Sequence, residues 1–194
     1  MNLVERVKNI ILSPASEWEV IKGETCTTAD LFKQYAMILA AIPALGGFIG
    51  FSVIGFSFGL GTFRLPLQYG LVYCLLSYVL SLVGVYLLAI IIDRLSQNFG
   101  ATRDMGAAFK IAVFSMTPFW ISGVFLIVPA LGVITLIAGL YGLYLLYLGI
   151  KQLTDAPAEK HLGFFVTTLL VAIIIQVIMN GIVRGIVFRG PMMM

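Results

Sequence analysis
The chain of 194 residues is 60% hydrophobic and 11% charged, against about 45–50% and about 25% in soluble domains. One core of this size cannot hide that excess, so composition points to an integral membrane protein and excludes a water-soluble one. The formal net charge of +3 is small and dispersed, which gives no surface for nucleic acid.

Residues 1–33 read as a cytoplasmic segment. It carries Glu5, Glu17, Glu19, Glu24 and Asp30 with Arg6, Lys8, Lys22 and Lys33, and lacks the basic start and apolar run of a cleavable signal peptide. Over 3–12, Leu3, Val7, Ile10 and Ile11 share one helical face, with Glu5, Arg6, Lys8 and Asn9 mostly on the other. Ser13-Pro14 ends that helix and opens another, since proline suits a first helical turn. Ser16 and Glu19 have the spacing of a capping box. The pair is expected as short amphipathic helices on the lipid headgroups, with Trp18 at the boundary. The alternative is a docking surface for a cytosolic or membrane protein partner, with Trp18, Asp30, Asp93 and Arg94 as its candidate residues.

A membrane helix needs about 20 mostly apolar residues. Five stretches qualify, near 34–56, 69–92, 108–128, 130–150 and 163–184. Together they make a five-helix membrane domain over 34–188, followed by a short tail at 189–194. Pro43 and Pro118 fall inside the first and third spans and should kink them or free carbonyls, which Ser115 or Thr117 can satisfy. Residues 55–63 are apolar but too glycine-rich for a steady helix, and are expected as an interfacial or re-entrant loop. Residues 111–150 hold no charged side chain, and Val128-Pro129-Ala130 is the natural place to fold them into a hairpin. Gly46-x3-Gly50, Gly55-x3-Gly59 and Gly181-x3-Gly185 permit close helix packing within the chain, a homo-oligomer seam being the alternative. Tyr141, Tyr144 and Tyr147, beside Gly139, Gly142 and Gly149, suggest another seam. Cys26 and Cys74, one in a charged segment and one in an apolar stretch, imply no disulfide.

All nine carboxylates and nine of the twelve Lys and Arg residues lie in 1–33, 93–110 and 151–161. With the N-terminus inside, basic residues number nine inside and three outside, which the positive-inside rule favours. The expected fold is therefore all-α and polytopic, with five transmembrane helices, N-in and C-out, in the inner (cytoplasmic) membrane. Asp93 and Arg94 end the second span and should pair locally or with Lys110 or Lys151. Gln176, Asn180 and Arg184, at i, i+4 and i+8, form one stripe on the last span. They are expected to bond across helices while Arg184 reaches the outer interface, or else to line a polar cavity or path.

Nothing in the sequence sets out an active site. Gly55-Phe56-Ser57-Phe58-Gly59 matches G-x-S-x-G but lacks the strand–turn–helix context. Its only histidine partner, His161, belongs on the other side of about 30 Å of hydrocarbon. One histidine and two separated cysteines make no metal cluster. No catalytic, metal-binding or cofactor-binding residue is expected, and no cofactor.

The chain resembles the YIP family of five-span membrane proteins, named for interaction with Ypt/Rab GTPases, and its bacterial inner-membrane branch in particular. The resemblance is carried by Ser13-Pro14 with Glu17-Trp18, Ala40-Ala41-Ile42-Pro43 with Gly47-Phe48-Ile49-Gly50, Thr117-Pro118, and Tyr144-Leu145-Leu146-Tyr147-Leu148-Gly149. It implies five helices and a cytoplasmic N-terminus. Eukaryotic members carry Asp-Leu-Tyr-Gly-Pro before the first span. Here Asp30-Leu31-Phe32-Lys33-Gln34 lacks the Gly-Pro, so Rab binding does not carry over. The functional expectation is a non-catalytic protein that binds or organises membrane components through its cytoplasmic face. The alternative is a channel or transporter for a small solute or ion along the last span.

Overall fold
Asn2 opens the first helix, because its side-chain oxygen accepts the backbone N–H groups of Val4 and Glu5. That helix, α1 (Leu3–Leu12), leads directly into α2 (Pro14–Gly23). The computed structural model describes residues 2–57 and 62–187. Five of its helices are long and apolar enough to cross a membrane: α3 (Thr28–Ile54), α4 (Leu67–Phe99), α5 (Met105–Ile127), α6 (Pro129–Leu153) and α7 (Ala158–Val187). Phe56–Ser57 (β1) pairs antiparallel with Thr62–Phe63 (β2) between α3 and α4.

The helices begin and end where local chemistry stops them. Thr27 caps α3, which starts six residues before the expected 34: its hydroxyl donates to the Asp30 carboxylate at 2.6 Å and accepts the Asp30 N–H at 3.1 Å. Gly55, with φ at +81°, ends α3 in a conformation that L side chains resist. Two π-helical stretches, Phe32–Ala36 and Ile49–Ile54, flank the segment containing Pro43. In α5 the regular helix pauses at Met116, just before Pro118, and Ser115 donates its hydroxyl to the Ile111 carbonyl at 2.6 Å. Helix α5 closes as a 3-10 turn over Gly123–Ile127, and extended Val128 with Pro129 turns the chain into α6. The hairpin expected at 128–130 is thus formed. The tail at 189–194 lies outside the described residues, as does Gly59 of the G-x-S-x-G match.

The capping box expected at Ser16 and Glu19 does not form. Pro14 already occupies the first turn of α2, so Ser16 is inside the helix and donates to the Ser13 carbonyl at 3.0 Å. Glu19 instead accepts from Gln152 at 3.2 Å.

The placement of Trp18 is also corrected. Helices α1 and α2 pack against α5 and α6, and Trp18 is drawn from the boundary into the core. The Tyr141 hydroxyl donates to the Ile11 carbonyl at 2.7 Å, and Tyr141 lies about 18 Å along α6 from its charged end at Leu153. Trp18 is fully buried, edge-on to Phe114 with ring centroids 6.1 Å apart and against Gly149, where a Cβ would lie 2.9 Å from the indole. An indole enclosed in this way contributes its whole apolar face to the core, which a boundary position would forfeit.

The packed core is concentrated at the end of the bundle that carries the carboxylates. Tyr35, Phe109, Ile111, Phe114, Ile150 and Phe164 are all 2% exposed or less. Toward the other end, large apolar side chains such as Leu75, Leu136 and Val177 are about two-thirds exposed, as lipid-facing residues should be. Gly46 and Gly50 are spent within the chain, because a Cβ on either would overlap the carbonyl of Gly123 or Leu126. Gly181 and Gly185 have nothing within 4 Å. The three tyrosines of α6 do not form one seam. Tyr141 reaches α1, Tyr147 packs edge-on to Phe165 at 5.6 Å, and Tyr144 is exposed.

Candidate functional site
At the charged end, Arg6 projects from α1 toward α2. Its guanidinium donates to the carboxylates of Glu17 and Glu24 and lies 5.7 Å from the centre of the Phe114 ring. Arg6 and Glu17 are both buried, while Glu24 is partly exposed. A buried cation needs such partners, since the desolvation of an unpaired one costs several kcal/mol, on the order of what holds a domain together. Lys110 of α5 completes the joint by donating to the carbonyls of Ile21 at 3.0 Å and Glu24 at 2.5 Å. Below it, Tyr35 and Thr117 share a buried hydrogen bond of 2.9 Å between α3 and α5. The N-terminal helices are therefore fastened to the bundle by charge as well as by Trp18.

A second charged joint ties α4 to the following loop. The buried Asp93 carboxylate accepts from Arg103 Nε at 2.8 Å and also from its terminal nitrogen. Pairing of Asp93 and Arg94 with Lys110 or Lys151 is not what forms: Lys110 is committed to α2, and Arg94 points out, exposed. Helix α4 turns Asp93 inward and its neighbour outward because adjacent residues on a helix face about 100° apart. Nearby, Asp155 accepts the Thr102 hydroxyl and backbone N–H, each at 2.8 Å. Those bonds, the hydroxyl's first, hold its carboxyl below the ordinary value by stabilising the anion.

Of the four residues expected to offer an interface at this end, Asp30 and Arg94 are exposed, whereas Trp18 and Asp93 are buried. Trp18 is withdrawn from any interface because its ring fills the space between Phe114 and Gly149. The residue that sequence reading passed over is Arg6. Its available signal was the i, i+4 spacing with Ile10, which places the cation on the apolar face.

From the middle of the bundle toward the other end, Gln176 and Asn180 of α7 are exposed and border a cavity of about 180 Å³ among α3, α4, α5 and α7. Tyr73, Ser77 and Ser81 of α4 contribute its other polar groups, and no charged side chain lines it. Ser81 also accepts the Trp120 indole N–H at 3.0 Å. Arg184 lies beyond the cavity, exposed. Toward the charged end the interior is filled by Tyr35, Leu39, Val85, Phe109 and Phe114. Ser57 sits in β1 past the far end of α3, and His161 in the first turn of α7 at the charged end. The two are at opposite ends of the bundle. Among the described residues no group of three or more His, Cys, Asp and Glu is arranged for a metal ion.

The Yip1 domain pattern matches residues 8–179. The chain belongs to the Yip1 domain family. This membership turns the resemblance seen in Ser13-Pro14, Pro43 and Thr117-Pro118 into a finding. The match takes in the second half of α1, all of α2 to α6 and most of α7, so α2 with Trp18 falls within the family domain while Arg6 precedes it. The chain is similar to the inner membrane protein YohC of Escherichia coli strain K12, 29% identical over 176 residues that cover 89% of this chain and 90% of that protein. YohC of Escherichia coli O6:H1 matches to the same extent. No solved structure matches the chain significantly.

Proposed function
We propose that this Yip1-family protein is a non-catalytic multi-pass protein of the inner membrane that binds or organises other membrane components through its charged, cytoplasmic face. The observation that carries the reading is the fastened charged end. Arg6, Lys110 and Arg103 lock the N-terminal helices and the first inner loop, while Asp30, Lys33 and Arg94 stay exposed around them. A rigid rim of available charges is suited to partner recognition, because little ordering entropy remains to be lost on binding. The distribution of basic residues supports N-in and C-out, and the name of YohC supports the inner membrane. The opposite placement of Ser57 and His161 supports the absence of catalysis.

The cavity at Gln176 and Asn180 favours a second reading, transport of a small solute or ion. The filled interior between it and the charged end favours the first.

Three measurements test this. With Cys74→Ser leaving Cys26 as the sole thiol, a membrane-impermeant maleimide should label the protein only from the cytoplasmic side. Photocross-linking in cells from position 30 should give a discrete adduct that Arg94→Glu removes, and position 75 should give none. Sealed liposomes holding the purified protein should show the ion and solute flux of empty ones. Flux that Asn180→Leu abolishes in folded protein would move the function to transport.

A further inference from the structure
Among the described residues Arg184 has no acidic side-chain partner on its side of the bundle. Every Asp and Glu side chain of the chain falls in 1–33, 93–110 or 151–161, at the opposite end. No hydrogen bond or ion pair holds Arg184 among the described residues. Arg64, by contrast, donates Nε to the Ile54 carbonyl at 3.3 Å. A cation at the end of a membrane helix with no protein counter-ion draws one from its surroundings.

The stripe below it has a direction. Asn180 and Gln176 follow Arg184 toward the middle of the bundle in steps of about 6 Å. Both are exposed, form no hydrogen bond within the described residues, and border the cavity. That cavity, about 180 Å³, is comparable to apolar cavities of about 150 Å³ that admit a benzene-sized guest. It can hold a segment of one hydrocarbon chain but not a whole lipid. From the surface inward the order is a guanidinium, two neutral amides and a mainly apolar slot. A glycerophospholipid runs in the same order: phosphate, ester carbonyls, acyl chain. Guanidinium groups bind phosphate through paired hydrogen bonds, and amide N–H groups donate to ester carbonyls. No Asp or Glu side chain lies at this end to receive the ammonium of a zwitterionic headgroup.

We propose that Arg184, Asn180, Gln176 and the adjoining cavity form a binding site for one anionic glycerophospholipid, taken from the leaflet at the uncharged end. The site is independent of whatever the charged face binds.

The test uses the full chain in nanodiscs of phosphatidylcholine containing phosphatidylglycerol, with native mass spectrometry of the released protein. One phosphatidylglycerol per chain should be retained in preference to phosphatidylcholine. Arg184→Gln should lower that preference about fivefold, from the attraction of one basic residue to an anionic surface, while Arg184→Lys keeps most of it. Ala172→Phe, which fills the slot and leaves the charge, should release the lipid, with elution volume and melting temperature confirming the fold of each variant. Millimolar inorganic phosphate should not displace the lipid. Equal retention of the two lipids, phosphatidylglycerol binding untouched by Arg184→Gln, displacement by free phosphate, or a second protein copy in place of the lipid would each overturn the proposal.

Discussion
At the charged end Arg6 is 5% exposed and shared by Glu17 and Glu24, whereas at the far end Arg184 is exposed and no Asp or Glu side chain shares its side of the bundle. The same side chain is thus enclosed at one end, where the protein supplies the counter-charge, and left at the surface where it does not. Packing follows charge. Rings and branched side chains fill the interior around Arg6, while α7 below Arg184 borders a cavity. Stability should therefore reside at the charged end and adaptability at the other.

Removing the largest side chain of the tight end should break that contrast most. Trp18→Ala should cost about 3–5 kcal/mol, the range for a buried aromatic whose cavity cannot collapse. Unfolding in mixed micelles measures it, and a loss below about 1 kcal/mol would mean that α2 is not docked as described. Next comes Arg6→Gln, which leaves buried Glu17 without its cation and should cost about 3 kcal/mol. Adding Glu17→Gln should recover much of that loss, because the damage comes from the orphaned carboxylate rather than from a missing attraction.

Two of the three paired-glycine spacings sharpen the contrast at smaller scale. Gly46→Val would drive a methyl group into the Gly123 carbonyl and should cost about 1–3 kcal/mol as overpacking. Gly181→Val meets open space and should stay within about 0.5 kcal/mol in the monomer. Equal losses at the two positions would show that the Gly181 face is covered in the folded assembly.

Charge and hydropathy made the membrane helices legible, because a span has to be apolar over a length set by the bilayer. Pro129 marked the hairpin for a similarly local reason. The stripe of Gln176, Asn180 and Arg184 could be read from helical spacing alone, but the cavity beside it could not. Its other polar walls, Ser77 and Ser81, come from α4, about a hundred residues earlier in the chain. Arg6 and Trp18 were misjudged for a physical reason. A helical wheel sends charge to water, and only tertiary structure brings Glu17 and Glu24 around a guanidinium and Gly149 under an indole. Asp93 went the same way, its partner Arg103 lying across a loop. Spacing shows which residues share a face, and not which faces meet.

The smallest effect concerns a charged contact that, unlike the Arg6 joint, is open to water. Asp155 is fully exposed, and its carboxyl is held below the ordinary 3.8 chiefly by the Thr102 hydroxyl and then by the Thr102 backbone N–H. A depressed folded value means that the anion is favoured by folding, so its contribution is complete above pH 3.8 and disappears as pH falls through the lower folded value. Thr102→Val removes the larger of the two bonds and leaves the backbone donor in place. The variant should melt slightly below the parent at neutral pH, and the gap should close in the acid range. A gap that persists there would assign the loss to packing of the Thr102 side chain, because protonating Asp155 has by then ended the charge-assisted bond in both proteins.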